Sequence, residues 1–395
     1  MRITHRMAGP YQGLKSGLMN PAPSGTPGGN ALCNLGTADL FYPEQTMPST
    51  VQQALMQSLN DPMLCHYPHP LGWRPLRQSI ADKLLRSYGR AVDPDRNILV
   101  TAGSEAGLLC AFLPFLEPGD EVLIPDPSYL TNAMYTRIAG GTPVFVPLSE
   151  EKGFVLEAAE FESRCTEKTK AVVLTCPNNP TGTVFSQQSL EALCEVIVRR
   201  DLILICDFAF EDFVFEGELT WPATFPGMWE RTVSVFTLSK GAGLCGLRVG
   251  YMVADTPALD ALLARIPPLM CAAGMPSQVA AKAALEDEAT MAAYHKKLQA
   301  RRAKTCELLS GIEGISFVEP QGGFQMWINV SGLGSSAEVA ARLRERAGVS
   351  VNCGEAFGPQ GGKNHLRLVF GCVQDDDVYF RAIEHLAEAL KNYSL

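Results

Sequence analysis

Lys240 is the residue whose position in this sequence most clearly indicates chemistry. It stands in the run from Val233 to Tyr251, where an apolar strand pattern ends at the lysine and a glycine-rich turn follows. A lysine amine attacks a carbonyl group when its surroundings keep the amine partly deprotonated. Most lysines that follow an apolar strand are only solvated strand ends, so the prediction that Lys240 forms a Schiff base with an aldehyde depends on the elements that accompany it.

Other elements of the sequence have chemistry that matches this lysine. Asp207 closes a second apolar strand, residues 177–182 form the turn Pro-Asn-Asn-Pro-Thr-Gly, and Arg248 follows Lys240 by eight residues. A pyridine ring accepts electrons when a carboxylate keeps its nitrogen protonated, which we expect of Asp207. A phosphate binds to an arginine and to the amides of a helix start, here predicted at 103–105. The combination predicts a pyridoxal phosphate site.

Composition and charge limit the classes of partner. The chain has 395 residues, 46% of them hydrophobic, and a net charge of −9 without any basic run. These values favour a compact protein of two domains that acts on small molecules, and they argue against nucleic acid or an anionic membrane as the main partner. No segment is apolar over the length that a bilayer requires.

Cysteine and histidine usage predicts the compartment and argues against a metal site. The twelve cysteines include no Cys-x-x-Cys pair, and the six histidines form no cluster with ligand spacing. The N-terminus lacks the apolar stretch of a secretory signal. We therefore expect a cytoplasmic protein whose buried thiols act as small hydrophobes, and no metal ligands.

Strand and helix patterns alternate from about residue 50 and predict the elements that position these residues. The strands end near Asp207 and Lys240, and helical patterns such as 104–116 and 189–200 separate the strands. This order predicts an α/β fold with one large, mostly parallel sheet flanked by helices, whose ligand groups gather at the carboxyl ends of the strands. The predicted strands are seven in number: 97–101, 121–125, 143–147, 171–176, 202–207, 232–238 and 247–254.

The pattern changes after Pro276 to a long charged helical region, residues 277–309. Short strands at 314–318, 324–330 and 365–370 and helices at 336–347 and 376–392 complete a smaller α+β domain. The Pro/Gly-rich stretch 21–29 separates a short N-terminal arm from the rest of the chain. The domain boundaries we expect are an arm at 1–30, a large cofactor domain at 46–284, and a small domain made of 31–45 and 285–395.

These motifs resemble those of fold-type I pyridoxal-phosphate enzymes of the class I/II aminotransferase family, from about residue 31 to the C-terminus. The resemblance implies that Lys240 forms the internal aldimine and then, through a quinonoid, moves the proton between the substrate Cα and the cofactor. It also implies that Asp207 pairs with the pyridine nitrogen, that Asn179 donates to the ring hydroxyl and that Tyr129 stacks on the ring face.

The resemblance further implies how the phosphate and the substrate are bound. By this resemblance, Arg367 binds the α-carboxylate of an amino acid or 2-oxo acid, and Asn179 and Gly36 lie beside it in the substrate site. Tyr67 reaches the phosphate of the neighbouring subunit, which implies a homodimer with active sites at the interface. The residues assigned to the phosphate of the same subunit are Gly103, Ser104, Glu105, Thr237, Ser239 and Arg248.

Phe210 departs from the family pattern. The family usually has a tyrosine three residues after the ring-nitrogen aspartate, whereas this chain reads Asp207-Phe-Ala-Phe210. With one donor to the ring hydroxyl missing, two outcomes stay open: transamination as the default, or elimination, cyclisation or oxygen-dependent deamination of the amino acid. A sensing module of a transcriptional regulator is a third reading, which the short N-terminal arm disfavours.

Overall fold

The computed structural model describes residues 33–44, 47–264 and 272–393. The predicted N-terminal arm, residues 1–30, lies outside the described residues. Within them, no helix combines the length and the apolar character that crossing a membrane requires.

The described residues form strands and helices in alternation, and we number each kind in chain order. The strands are β1 Cys33–Asn34, β2 Ile98–Thr101, β3 Glu121–Asp126, β4 Thr142–Pro147, β5 Thr169–Thr175, β6 Ile203–Asp207, β7 Thr232–Thr237, β8 Gly250–Val253, β9 Ser316–Phe317, β10 Gln325–Asn329, β11 Val349–Ser350, β12 Asn352–Cys353 and β13 His365–Val369. The helices are α1 Ser49–Ser58, α2 Arg74–Tyr88, α3 Ser104–Phe112, α4 Leu130–Ile138, α5 Ala158–Ser163, α6 Gln187–Arg199, α7 Thr256–Leu263, α8 Met275–Leu285, α9 Glu288–Leu309, α10 Ser336–Ala347 and α11 Asp376–Lys391.

The large sheet has seven strands in the order β2-β8-β7-β6-β5-β3-β4, which confirms the predicted α/β architecture. The pairs from β7 across to β4 are parallel. Strand β8 runs antiparallel to both of its neighbours. It begins at Gly250 rather than at the predicted residue 247, because residues 245–247 form a 3₁₀ turn and Arg248 has a φ of +50°.

Side chains that alternate along the strands pack on the two faces of this sheet. On β7, Phe236 belongs to the apolar core on one face, whereas Val233 and Val235 belong to the core on the other. Both faces are therefore buried, which explains why the central strands read as continuous apolar runs instead of alternating ones.

The helical region predicted at 277–309 consists of two helices, α8 and α9. Helix α8 ends at Leu285, and the Asp287 side chain caps α9 by accepting a hydrogen bond from the backbone amide of Thr290. An aspartate at this position satisfies an amide that the first turn leaves without a partner, so it favours a new helix start.

The smaller part of the protein surrounds a four-stranded sheet in the order β12-β13-β10-β9, with β1 paired to β11 beside it. Helices α9, α10 and α11 share an apolar core with these strands. Helix α10 begins at a capping box in which Ser335 and Glu338 exchange hydrogen bonds between side chain and backbone. Arg367 lies in the central strand β13, opposite Trp327 of β10.

Candidate active site

The carboxyl ends of the parallel strands bring the predicted residues together. Asp207 is the last residue of β6, and Lys240 lies three residues beyond the end of β7. Asn179 follows β5. In parallel sheets, ligands bind outside this edge, and the chain here supplies a carboxylate, an amine and an amide to it.

A cavity of about 1020 Å³ opens at this edge, between the large sheet and the small one. Gly103, Thr237 and Tyr67 are the predicted site residues that do not line it. Those that do line it are Gly36, Ser104, Glu105, Tyr129, Asn179, Asp207, Phe210, Ser239, Lys240, Arg248 and Arg367.

The Lys240 amine reaches across the cavity to the segment that follows β1. Its Nζ donates a hydrogen bond to the backbone carbonyl of Ala38. The Sγ atom of Cys245 lies 3.9 Å from the same Nζ and 3.0 Å from the carbonyl oxygen of Ser239. Ala38 and Cys245 thus belong to the surroundings of the amine, although the sequence did not single them out.

Asp207 is a buried carboxylate with little stabilisation of its charge. It is 2% exposed, and one oxygen accepts a hydrogen bond from the backbone amide of Ala209 at 3.0 Å. Burial raises the pKa of Asp207 to about 7, and the negative charge of Glu105 adds to the rise, while the Ala209 amide and Lys240 oppose it. A protonated ring nitrogen at this carboxylate would supply the missing positive charge.

The start of α3 and the turn after β7 form one end of the cavity. Helix α3 begins at Ser104 after the N-cap residue Gly103, and no side chain caps its first turn, which is the kind of helix start that binds anions. A Cβ atom on Gly103 would lie 2.5 Å from Nη2 of Arg248. The guanidinium therefore sits against the backbone of this glycine, whose φ is +83°.

Thr237, the last residue of β7, is hydrogen-bonded to Ser239, two residues further along the chain. The Thr237 hydroxyl donates to Ser239 Oγ at 3.0 Å and accepts from the Ser239 amide at 3.2 Å. Only Ser239 of the two lines the cavity. Thr237 acts on the site through its hold on Ser239.

Arg367 also lines the cavity and is 7% exposed. Its guanidinium donates to the side-chain oxygen of Asn179 at 3.2 Å, to that of Asn352 at 2.8 Å and to the carbonyl of Gly36 at 3.1 Å. Its Nε has no partner among the described residues. Burial lowers the pKa of Arg367 to about 10, and an anion at this guanidinium would reverse that effect.

Phe210 lines the cavity but packs into the small-domain core. Its ring meets that of Phe324 edge to face, with centroids 5.0 Å apart and an interplanar angle of 85°. The side chain is 3% exposed and carries no hydroxyl. This position therefore contributes an apolar wall where a tyrosine would contribute a donor.

Tyr67 lies away from this cavity, on the surface of the chain. Its side chain is 91% exposed. Met56, Leu59 and Met63, in and just after α1, are also large apolar side chains exposed to solvent. These four exposed side chains all lie within residues 56–67 of the sequence.

A pyridoxal phosphate molecule fits the chemistry of this cavity. Among the described residues, the cavity contains an amine, a buried carboxylate without an ion pair, a helix start without a side-chain cap beside an arginine, and a buried arginine whose Nε has no acceptor. These groups match the aldehyde, the ring nitrogen, the phosphate and a substrate carboxylate in turn.

Comparison with known proteins is consistent with this chemistry. The family model described as aminotransferase class I and II matches residues 30–386. The arginine–pyruvate transaminase AruH of Pseudomonas aeruginosa is 37% identical over 334 residues, which cover 82% of this chain and 83% of that protein. The aromatic-amino-acid aminotransferase 2 of Thermococcus litoralis is 31% identical over 354 residues, or 88% of each protein.

Solved structures share the fold. The aromatic aminotransferase of Pyrococcus horikoshii superposes with a TM-score of 0.85 at 30% identity, over 91% of this chain and 96% of that one. A single mutant of the aspartate aminotransferase of Thermus thermophilus superposes with a TM-score of 0.87 at 27% identity, over 98% of this chain and 100% of that one. The likeness therefore extends over both sheets.

Proposed function

This chain belongs to the class I and II aminotransferase family, and we propose that it moves the amino group of an L-α-amino acid to a 2-oxo acid with pyridoxal phosphate as cofactor. Its relatives are aminotransferases that act on amino acids, and the chain is an enzyme of that kind. The observation that carries the proposal is the single cavity that joins Lys240, Asp207 and Arg367.

Pyridoxal phosphate supplies an aldehyde that links covalently to amines and a ring that accepts electrons from the bonds at the substrate Cα. Lys240 is the residue that would hold the aldehyde. Asp207 would hold the ring nitrogen, Asn179 would donate to the ring hydroxyl, and Tyr129 would cover one face of the ring. The phosphate would be held by Gly103, Ser104, the Glu105 amide, Thr237, Ser239 and Arg248.

Arg367 would bind the substrate carboxylate, because its guanidinium is buried, charged and incompletely hydrogen-bonded. Asn352 and the Gly36 carbonyl hold the guanidinium plane, so its free edge is fixed before substrate arrives. Asn179 contacts both Arg367 and the cavity, which supports a role at the junction of the substrate and cofactor sites.

The Lys240 amine would then act as the base that takes the proton from the substrate Cα and returns it one step later. It is placed for this because it lies in the same cavity as Arg367, which would hold the carboxylate on that same Cα. The Ala38 carbonyl accepts a hydrogen bond from Lys240, so it can orient the amine whenever the amine is free.

Phe210 keeps a second outcome open, because its ring offers no donor to the cofactor hydroxyl. The alternative is elimination, cyclisation or oxidative deamination of the amino acid. An assay with different amino acids discriminates transamination from the alternative reactions. The protein is incubated with arginine, aspartate or phenylalanine, each with and without pyruvate or 2-oxoglutarate. Transamination predicts that 2-oxo acid accumulates beyond one equivalent of enzyme only when an acceptor is added, whereas ammonia release or oxygen uptake without acceptor would support the alternative.

We also propose a homodimer in which Tyr67 of one subunit approaches the phosphate site of the other. The exposed apolar side chains of Met56, Leu59 and Met63 support this, because such a surface is usually covered by a partner. Gel filtration with light scattering tests the dimer. A Tyr67→Phe variant should remain a dimer but bind pyridoxal phosphate more weakly.

The packing of two helices supports the domain division that the sequence predicts, with an arm at 1–30, a large domain at 46–284 and a small domain at 31–45 and 285–395. Helix α8 packs on α1 and α2 of the larger part, whereas α9 packs on α11 of the smaller part. We therefore keep the boundary between α8 and α9 as a proposal. A cytoplasmic location stays a prediction as well.

A further inference from the structure

The Glu105 side chain makes contacts that its predicted role at the phosphate does not explain. Glu105 stands in the first turn of α3, and its two carboxylate oxygens accept hydrogen bonds from two different tyrosines. The Tyr129 hydroxyl donates to Oε1 and the Tyr135 hydroxyl donates to Oε2. Both oxygens are thus engaged with tyrosines.

The two tyrosines come from one helix but lie in different surroundings. Tyr129 is the N-cap residue of α4, and its side chain lines the cavity together with Asp207. Tyr135 lies within α4, is 7% exposed and does not line the cavity. Glu105 therefore links the buried Tyr135 to Tyr129, which lines the cavity.

From this geometry we propose that the Glu105 side chain is a positioning residue that fixes the Tyr129 ring against the cofactor. The inference rests on the proposed function, because it needs a cofactor ring beside Tyr129. The Glu105 backbone amide keeps its place at the helix start and remains available to the phosphate.

The physical basis is the number of hydrogen bonds that hold each side chain. The hydroxyl oxygen of a tyrosine moves when the side chain turns about its first rotatable bond, so one charge-assisted hydrogen bond at the hydroxyl fixes the position of the ring. The glutamate side chain has three rotatable bonds. The hydrogen bond that it accepts from Tyr135 keeps its carboxylate in the rotamer that contacts Tyr129. Without the Tyr135 hydrogen bond, the Glu105 carboxylate can move together with the Tyr129 ring and no longer fixes the position of that ring.

Charge also distinguishes this role from direct phosphate binding. A carboxylate turned toward a phosphate would repel it, so its removal would strengthen cofactor binding. A carboxylate that holds the stacking ring would weaken cofactor binding when it is removed. The sign of the change in affinity therefore separates the two roles.

The test compares Tyr135→Phe, Glu105→Gln and Glu105→Leu with the wild-type protein. Each is titrated with pyridoxal phosphate after removal of bound cofactor, and the visible circular dichroism of the bound cofactor is recorded. We expect Tyr135→Phe and Glu105→Leu to weaken binding by about tenfold, the effect of losing one hydrogen bond to a charged group, and to reduce the dichroism. Glu105→Gln keeps an acceptor and should lie between these variants and wild type.

The matched control is Tyr379→Phe, which removes a buried tyrosine hydroxyl that bonds Thr305 at 2.6 Å in the small domain. It should leave both cofactor readouts unchanged. Unchanged or tighter binding in Tyr135→Phe and in the Glu105 variants would overturn the inference. If a Glu105 variant does not fold, Tyr135→Phe decides, because its substitution lies outside the cavity lining. If wild type itself binds no pyridoxal phosphate, the proposed function fails instead.

Discussion

Arg367 donates a hydrogen bond to the side-chain oxygen of Asn179, with 3.2 Å between Nη1 and Oδ1. The two residues stand 188 positions apart, on β13 of the small sheet and on the turn after β5 of the large one. This contact joins the two parts of the site. A substrate held at the arginine therefore lies next to the groups that would hold the cofactor.

Arg367→Lys tests the carboxylate site. A lysine cannot reproduce the planar guanidinium that Asn352 and Gly36 fix, so we expect kcat/KM for the amino acid to fall by about a hundredfold, mainly through KM. Steady-state kinetics measure the change. Arg381→Lys is the control, since Arg381 is exposed and bonds a carbonyl of its own helix. An unchanged KM for Arg367→Lys would place the carboxylate elsewhere.

Asp207→Asn should have opposite effects on the cofactor-free and the loaded protein. The pKa of Asp207 in the folded chain is about 7, above its ordinary value of 3.8. Folding therefore favours the neutral carboxyl, and this group makes the cofactor-free protein less stable as pH rises from 3.8 to about 7. Asparagine does not ionise, so the free energy of unfolding of the variant does not fall in this way. Without cofactor the variant should therefore be more stable than wild type above pH 7, by up to roughly 4 kcal/mol.

Urea unfolding of both cofactor-free proteins at pH 5.5 and pH 8 measures this effect. The advantage of Asp207→Asn should grow by about 2 kcal/mol between these pH values, while its affinity for pyridoxal phosphate falls. A difference in stability that does not change with pH would contradict the burial of Asp207 and the raised pKa that follows from it.

Gly103→Ala should disturb the anion end of the cavity. The new Cβ would lie 2.5 Å from Arg248 Nη2, so the guanidinium must move, and we expect cofactor affinity to fall by about tenfold or more. Gly89→Ala is a matched control, because Gly89 also has a positive φ, +67°, but has open space around it. The control should lose about 1 kcal/mol of stability and keep its cofactor affinity. Equal affinities in the two variants would count against an anion site here.

Lys83→Met should destabilise the fold without touching the cavity lining. Lys83 Nζ lies 2.8 Å from Glu211 Oε1 and 2.9 Å from Asp212 Oδ1, and all three side chains are largely buried. Burial alone would lower the pKa of Lys83, but the charges of Asp212 and Glu211 raise it well above its ordinary value. Removing the amine leaves two buried carboxylates without their cation.

The expected loss for Lys83→Met is about 3 to 5 kcal/mol in the free energy of unfolding. Arg164→Ala, which removes a partly exposed partner of the exposed Glu160, should cost less than about 1 kcal/mol. Denaturant unfolding of the loaded protein compares the two. Losses of similar size would mean that the Lys83 cluster is solvated in solution.

The sequence predicted where the strands of the large sheet end to within one residue, because buried parallel strands leave long apolar runs that stop at polar residues. Asp207 and Lys240 were found in this way. The antiparallel direction of β8 was not predictable, since an apolar strand reads the same in either direction. The break between α8 and α9 was missed because only Asp287 marks it, in a region whose helical propensity is otherwise continuous.

Contacts between distant segments account for what the sequence did not reveal at the site. Asn352 reaches Arg367 through the register of β12 on β13, which no local pattern encodes. The Ala38 carbonyl meets Lys240 across 202 positions. Cys245 was the exception, because it stands five residues after Lys240 in the same glycine-rich turn and could have been singled out.

Borohydride reduction of the loaded protein, followed by peptide mass spectrometry, tests the central claim most directly. Reduction makes a bond between a lysine amine and an aldehyde permanent, so it marks the lysine that holds the cofactor. We predict a phosphopyridoxyl group on the peptide that contains Lys240. A label on another lysine, or no label in protein that has bound pyridoxal phosphate, would contradict the account.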